Sequence, residues 1–396
     1  MAEWIKCKIS DIGTVVGGAT PSTKNIENYE NGTIAWITPK DLSTFSGRYI
    51  KQGERNITEL GLKSCSTQLL PKDTVLFSSR APIGYVAIAE NEVCTNQGFK
   101  SVIPNENIDP LFLFYLLKYN KDTIESMGSG TTFKEVSGNT MKNIVVRVPI
   151  DIKTQKQIAQ ILGSIDDKIE GNEGINCNLE KQAQALYQEL FITNANPEWQ
   201  TGTISDLGTV IGGSTPSKSN SEYYTEKGIA WITPKDISAN KSKFVVRGEN
   251  DITEIGLKNS SAIIMPEGTV LFSSRAPIGY IAIAAGEVTT NQGFKSVVPK
   301  PEIGTPFVYY FLKTNLQVIE GMASGSTFKE VSGSTMKIVP AFIPDAETIA
   351  SFNDFCIPLF AQQRVLEEQS KALASIRDGL LAKLMSGEID VSQVEI

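Results

Sequence analysis

The chain is rich in side chains that bind and poor in side chains that catalyse. Of its 396 residues, 37 are Lys or Arg and 44 are Asp or Glu, and none is histidine. Without imidazole there is no Ser-His-Asp or Cys-His nucleophile, no His general base and no His metal ligand. The five cysteines (Cys7, Cys65, Cys94, Cys177, Cys356) are odd in number and never spaced Cys-x-x-Cys, which argues against a disulfide framework or a zinc site and for buried thiols. No GxxxxGK[ST] phosphate loop occurs, so ATP-driven work is not encoded. Gly17-Gly18 and Gly212-Gly213 lack GxGxxG spacing and read as turns. Asn196-Pro197-Glu198-Trp199 has the wrong third residue for an amino-methyltransferase loop of the Asn/Asp-Pro-Pro-aromatic kind, and reads as a linker. The scattered carboxylates show no metal-nuclease spacing. What remains is recognition chemistry, in which cations hold anions and polar side chains read hydrogen-bonding edges.

The cations best placed for it lie beside turns. Arg80 and Arg275 flank an Ala-Pro-Ile-Gly turn between two expected strands, where an arginine projects outward to an anion, or into a salt bridge or backbone cap. Lys40 and Lys235 follow Trp-Ile-Thr-Pro in a surface turn. The loops 128–134 and 325–329 read either as backbone nests that wrap a phosphate with Lys134 or Lys329, or as helix-cap loops. Lys100 and Lys295 follow Asn-Gln-Gly-Phe.

These pairings exist because a shift of 195 residues superimposes the chain on itself without a gap. TVLFSSRAPIGY at 74–85 recurs letter for letter at 269–280, and NQGFKSV at 96–102 recurs at 291–297. GGATPS at 17–22 returns as GGSTPS, and GTTFKEVSG at 130–138 as GSTFKEVSG. A period this long is a duplicated domain, since solenoid repeats run about 20–50 residues.

Each repeat has two parts. The first, 1–150 or 196–345, reads as mixed α and β: β-branched runs at 74–77, 85–89 and 99–103 lie between Gly, Pro and Asn punctuation, a helix is expected over 111–127 or 307–322, and 143–149 closes the unit as a strand. The second part, 151–195 or 346–396, is a heptad seam: Ile158, Leu162, Ile165, Ile169, Asn172, Asn176, Leu179 and Leu186 in one copy, and Phe352, Leu359, Leu366, Leu373 and Leu380 in the other, with Phe355, Ile376 and Leu384 near the intermediate positions. Two amphipathic helices of about 38 residues each need a partner. Pairing with each other, antiparallel, as a coiled coil is the economical arrangement; packing of each on its own globular unit is the alternative. The expected fold is therefore α+β, two homologous domains separated by two antiparallel helices with a pseudo-twofold axis.

The net charge of −7 is unevenly spread. Residues 1–150 hold 16 basic and 15 acidic side chains and 196–345 hold 13 and 14, whereas 151–195 hold 4 and 7 and 346–396 hold 4 and 8. The acidity belongs to the helices, so the overall charge does not argue against a basic face on the domains. No apolar run approaches the ~18 residues of a membrane helix, and the first eleven residues carry charges where a signal peptide needs an apolar core. A cytoplasmic chain without membrane contact is expected. A ligand matching a pseudo-twofold pair of domains is duplex DNA, whose half-sites recur at about 34–36 Å per turn.

The order of these elements, with LFSSRAPIG, GTTFKEVSG followed by MKNIVV, and the ending LLAKLMSGEI, resembles the DNA-specificity subunit of type I restriction-modification systems over essentially the whole chain. The resemblance implies two target recognition domains, each reading half of a split double-stranded DNA site, and spacer helices that dock two methylation subunits and, through them, the restriction subunits. It implies no catalysis, no cofactor and no small-molecule substrate in this chain, with S-adenosylmethionine, ATP and Mg²⁺ left to the partners. A tandem adaptor gripping a symmetric protein in place of DNA is the alternative. Between copies, the largest run of mismatches within the domains is 44–52 against 239–247, with Arg48, Tyr49 and Lys51 facing Lys241, Lys243 and Arg247; a smaller one is 23–26 against 218–221. These segments are expected either to tune the half-sites apart or to be relaxed surface loops. Near-identity elsewhere predicts a target close to an inverted repeat.

Overall fold

A computed structural model describes residues 3–80, 82–130, 134–240, 242–275, 277–325 and 329–391. It divides into two compact units, Met1–Gly171 with Ser370–Ile396, and Asn172–Gln369. Each unit contains one globular domain, the first half of the helix that follows it, and the second half of the other long helix.

In the first unit a five-stranded sheet runs in the order Gly13–Gly17, Lys100–Pro104, Val75–Phe77, Val86–Ala89, Tyr49–Ile50. Its pairings are antiparallel except the last. Val75, Leu76 and Phe77 are all buried, because this strand is covered on both faces. One face, with Val75, Phe77 and Ile88, meets the helix Pro110–Tyr119, whose Phe112, Leu113, Tyr115 and Leu116 are buried; the other face, with Leu76, Ala87 and Ala89, meets Ala35, Ile37 and Phe99. A small sheet of Arg55–Ile57, Ile34–Ile37 and Cys94–Thr95 lies beyond, its last pairing parallel. Trp4–Lys8 pairs antiparallel with Val145–Pro149 and closes the domain on itself. The expected helix over 111–127 is broken: Pro110–Tyr119 ends at Asn120, whose side-chain amide donates to the Leu116 carbonyl at 2.8 Å, and Lys121–Ser126 starts anew.

The second unit repeats this plan, with Gly208–Gly212, Lys295–Pro299, Val270–Ser274, Ile278–Ala284 and Phe244–Val245 in the large sheet. Its smaller sheet gains the strand Tyr224–Thr225, and Gln200–Thr203 pairs with Pro340–Ile343. The paired glycines are not turns. Gly17 ends a strand, and a Cβ on Gly18 would stand 2.1 Å from the Thr95 carbonyl oxygen; on Gly213 it would stand 1.9 Å from that of Asn291. Only glycine permits two backbones to approach this closely.

The long helices are Ile152–Gln188 and Ala346–Ser386, the first continued by a π-helical turn, Glu189–Thr193. Within each unit their halves run antiparallel and also join the domain core. In the first, Arg377 donates to Asp166 at 2.7 Å and Arg147 to the Ser386 carbonyl at 3.4 Å, while Ile158, Leu162, Leu384 and Met385 share the core of the sheet. In the second, Gln363 donates to the Asn176 carbonyl at 3.2 Å, and Tyr187 and Phe191 pack on Phe352. Ile158, Leu162, Asn172, Phe352 and Leu366 are buried and Ile165, Ile169, Asn176, Leu179, Leu186, Leu359, Leu373 and Leu380 half-buried, so the seam positions face inward. Phe355 and Ile376 do not: they are 40% and 54% exposed. Among the described residues no helix is long and apolar enough to cross a membrane.

Candidate nucleic-acid interface

In each domain the segment Thr-Pro-Lys-Asp, the start of the strand that opens with Arg55 or Asn250, the Asn-Gln-Gly turn and the Arg of LFSSRAPIG converge. The Thr38 and Asp41 pair shows why. Asp41 Oδ2 accepts from the Thr38 amide at 2.7 Å and hydroxyl at 2.6 Å, a capping box that starts the short helix Pro39–Ser43. Its Oδ1 accepts from the Glu54 amide at 2.7 Å and ties that helix to the edge strand. Asp236 repeats all three bonds with Thr233 and Glu249. The Asn96 side chain accepts from the Gly98 amide at 2.8 Å, and a Cβ on Gly98 would lie 2.8 Å from Pro39 Cγ, so this turn packs directly on the short helix. Asn291 and Gly293 repeat it.

In the second domain these parts enclose a cleft of about 480 Å³, floored by Trp231 and bordered by Thr215, Lys235, Arg275, Asn291 and Gln292. Trp231 is fixed by donating to the Ser214 carbonyl at 3.0 Å, and Trp36 by donating to that of Ala19 at 3.2 Å. Gln292 and Gln97 are exposed and each meets a threonine hydroxyl, Thr215 or Thr20. Of thirteen positions lining the cleft, eleven hold the same residue 195 earlier in the chain. The polar set includes guanidinium, ammonium, carboxamide and hydroxyl groups, which contact phosphates and read base edges, with the carboxylates of Asp236 and Glu249 beside them. Among the described residues no group of three or more His, Cys, Asp or Glu side chains could hold a metal ion.

The structure brings Lys235 and Arg275 to this cleft and places Lys40 and Arg80 at the matching positions. Lys40 and Lys235 each meet a carboxylate, Glu54 or Glu249, at 2.7 Å on the open rim, which raises both ammonium pKa values. Arg275 reaches Glu330 at 3.6 Å. Lys100 and Lys295 lie deeper, with side chains 15% and 14% exposed, and face Glu135 and Glu330 at 3.4 and 3.5 Å. The adjacent loops are pinched shut by paired backbone bonds between Ser129 and Glu135, and between Ser324 and Glu330, with Lys134 and Lys329 exposed beyond. Residues 131–133 and 326–328 and Lys241 lie outside the described residues.

Two candidates from the divergent segments are not at the surface. Arg48 is 6% and Lys243 8% exposed, and both clamp their domain to the long helices. Arg48 donates to the Gly163 carbonyl at 3.1 Å, to Glu170 at 3.0 Å and to Asp167. Lys243 donates to Glu180 and Gln363, each at 2.8 Å, and stands 3.4 Å from the centre of the Phe360 ring. Burial would raise the Glu180 carboxyl, but Lys243 and Lys313 overcome it and hold its pKa down at about 2. Tyr310 donates to the same carboxylate at 2.9 Å, as Tyr115 does to buried Asp166. Arg247 is half in the open and covers buried Asp251, which also accepts from the Gly228 amide at 2.7 Å. Tyr49, 42% exposed, and Lys51 remain at the surface. Sequence reasoning missed Gln97 and Gln292, although their identity inside NQGFKSV was a signal.

The model of the type I restriction modification DNA specificity domain matches the chain twice, at residues 1–181 and 196–376. The specificity subunit of the type I restriction enzyme MjaIX from Methanocaldococcus jannaschii is 31% identical over 427 residues, with 99% of this chain and 95% of that protein covered. The HindI specificity subunit from Haemophilus influenzae is 26% identical over 474 residues, covering 98% of this chain and all of that one (100%). Among solved structures, the S subunit of a type I restriction-modification system from M. genitalium shares the fold over 97% of this chain and 96% of its own, with a TM-score of 0.62 at 16% identity.

Proposed function

The chain belongs to the family of type I restriction-modification DNA-specificity subunits, and on that premise we propose that its two domains read nearly the same half-sequence, in opposite orientation, in a bipartite double-stranded DNA target. Its role is DNA target recognition within a larger complex, not catalysis, and a protein-only adaptor is set aside. The observation that carries the proposal is the cleft whose lining recurs at eleven of thirteen positions in the other domain. Equal linings present equal donors and acceptors, and so select equal base edges. The two heptad seams, which read as an antiparallel pair in the sequence, favour the inverted orientation. In this reading Arg80, Arg275, Lys40, Lys235, Lys134 and Lys329 contact DNA, with Tyr49 and Lys51 at the margin of the first domain, while Lys100 and Lys295, less exposed and facing Glu135 and Glu330, are the weaker contacts. Two methylation subunits and, through them, the restriction subunits are the protein partners; they carry S-adenosylmethionine, ATP and Mg²⁺, and the complex works in the cytoplasm.

The test is to express the chain with its methylation subunits in a host and map methylated bases across the genome. Two near-identical half-sites related by inversion around a spacer are expected. Two unrelated half-sites overturn the proposal.

A further inference from the structure

The two linings differ at two positions: Thr23 and Arg55 in the first domain stand where Lys218 and Asn250 stand in the second. Arg55 opens the edge strand Arg55–Ile57 and pairs across it with Trp36; Asn250 pairs in the same register with Trp231. The two side chains therefore leave the same point of the backbone beside the same indole. All four residues are exposed.

Neither side chain makes an ion pair or a side-chain hydrogen bond among the described residues. The neighbouring Glu54 is taken by Lys40 and its amide by Asp41, so no carboxylate among the described residues pairs with Arg55, whose guanidinium rests over the Tyr29 ring at 5.4 Å. Tyr29 is itself held by donating to the Pro21 carbonyl at 2.6 Å, which makes the ring a fixed platform for a planar group. The Asn250 carboxamide has no hydrogen-bond partner among the described residues. Two other exchanges between the copies come with a counterpart. The Arg247–Asp251 pair replaces Gln52 and Asn56 together, and Arg48 and Lys243 each meet their own helix carboxylates. The exchange at 55 and 250 has no such partner among the described residues.

We propose that positions 55 and 250 are where the two domains read different base pairs, Arg55 selecting guanine in one half-site and Asn250 adenine at the matching position of the other. This rests on the reading of the cleft as the base-contacting face. Arginine presents two parallel donors that match guanine O6 and N7, and asparagine a donor and an acceptor that match adenine N7 and N6. Thr23 and Lys218 change in the opposite sense, so each cleft keeps one variable cation: Arg55 in the first domain and Lys218 in the second. Lys218 is available to the phosphate backbone of the second half-site, which leaves Asn250 free of charge duty.

The experiment maps methylated sites made by the complex of this chain with its methylation subunits, using wild type, R55N and N250R. Wild type is expected to show half-sites that match except for a G·C pair in one where the other has A·T, with a neighbouring difference allowed for Thr23 and Lys218. R55N converts that G·C to A·T and makes the target symmetric there, with a preference of about 5- to 150-fold for the new pair; N250R makes the reciprocal change and leaves the first half-site alone. Should R55N methylate nothing, N250R decides alone: guanine appearing in the second half-site supports the assignment, and an unchanged or lost motif overturns it. Wild-type half-sites identical at every position also overturn it. Unrelated wild-type half-sites sink the inverted-repeat reading itself, whereas near-identical half-sites that neither variant moves sink only this inference.

Discussion

Replacing Arg48 by methionine separates a helix clamp from a DNA contact. The side chain is 7% exposed, and its guanidinium holds Gly163, Asp167 and Glu170 of the central helix. Removing one member of a fully buried ion pair costs about 3–5 kcal/mol, because the abandoned charge has nowhere to go. Here it has somewhere to go: Asp167 is 70% and Glu170 33% exposed, so both carboxylates rehydrate, and Glu170 keeps the Arg48 backbone amide at 3.1 Å. Methionine also retains most of the aliphatic contact. The loss therefore reduces to the guanidinium's own hydrogen bonds, about 2 kcal/mol. For a unit of this size that lowers the melting temperature by about 4–8 °C. Trp4 and Trp36 lie in the first unit and Trp199 and Trp231 in the second. In a W199F/W231F background, thermal unfolding followed by tryptophan fluorescence thus reports the first unit alone. R48M should lower that transition and leave the methylation motif unchanged. A melting point within 1 °C of the parent, together with an altered motif, would refute the clamp and return Arg48 to the DNA.

Three further outcomes follow from single geometries. Glu180, ordinarily near 4.5 and held at about 2, binds fewer protons folded than unfolded, so its stabilisation is present above about pH 4.5 and is lost as pH falls toward 2; wild type should lose on the order of 3 kcal/mol from the second unit across that window, E180Q much less, and equal pH slopes in acid unfolding would count against the assignment. G18A drives a Cβ to 2.1 Å from the Thr95 carbonyl and should destabilise the first unit by about 1–3 kcal/mol in urea unfolding, with no effect meaning that the two backbones are not in contact. Gly171 and Gly174 lie inside the central helix with nothing within 4 Å of an added Cβ, so G171A and G174A should each stabilise by roughly 0.5–1 kcal/mol; destabilisation would show that close neighbours occupy that space.

What could be read from the sequence tracks how local the cause is. The duplication, the β-branched strands around Ala-Pro-Ile-Gly and the two heptad seams are written in neighbouring residues, and the structure keeps all three. The cleft is not local. Its floor forms where Trp231 pairs in parallel with Thr289 and antiparallel with Asn250, a set of partners that no period in the sequence announces. The break at Asn120 was concealed for a related reason: Leu111, Tyr119 and Ile124 continue an apolar pattern, while one asparagine amide bonding back to Leu116 ends the helix. Phe355 and Ile376 fit the heptad spacing and still face outward, since each helix half answers both to its partner helix and to a domain.

The acidic helices bear on the same point. Their charge invites the idea that they face basic surfaces on other subunits, yet Asp166, Asp167, Glu170, Glu180 and Glu367 are engaged within the chain, by Arg377, Arg48, Lys243, Lys313 and the backbone amides of residues 243 and 244. Much of the negative excess is thus internal, and a mismatch between duplicated domains has two meanings that only structure separates. Where a changed residue meets a changed partner, as Arg48 and Lys243 do on different helix carboxylates, the domain has preserved its attachment by another route. Such a position can diverge freely in sequence without altering what the domain reads. Where a changed residue meets unchanged surroundings and no changed partner, as Arg55 and Asn250 do beside the same tryptophan, no contact among the described residues accounts for the difference. Specificity is then to be sought at the second kind of mismatch, which is why the longest divergent run, 44–52, contributes a clamp and the shorter exchange at position 55 contributes the reader.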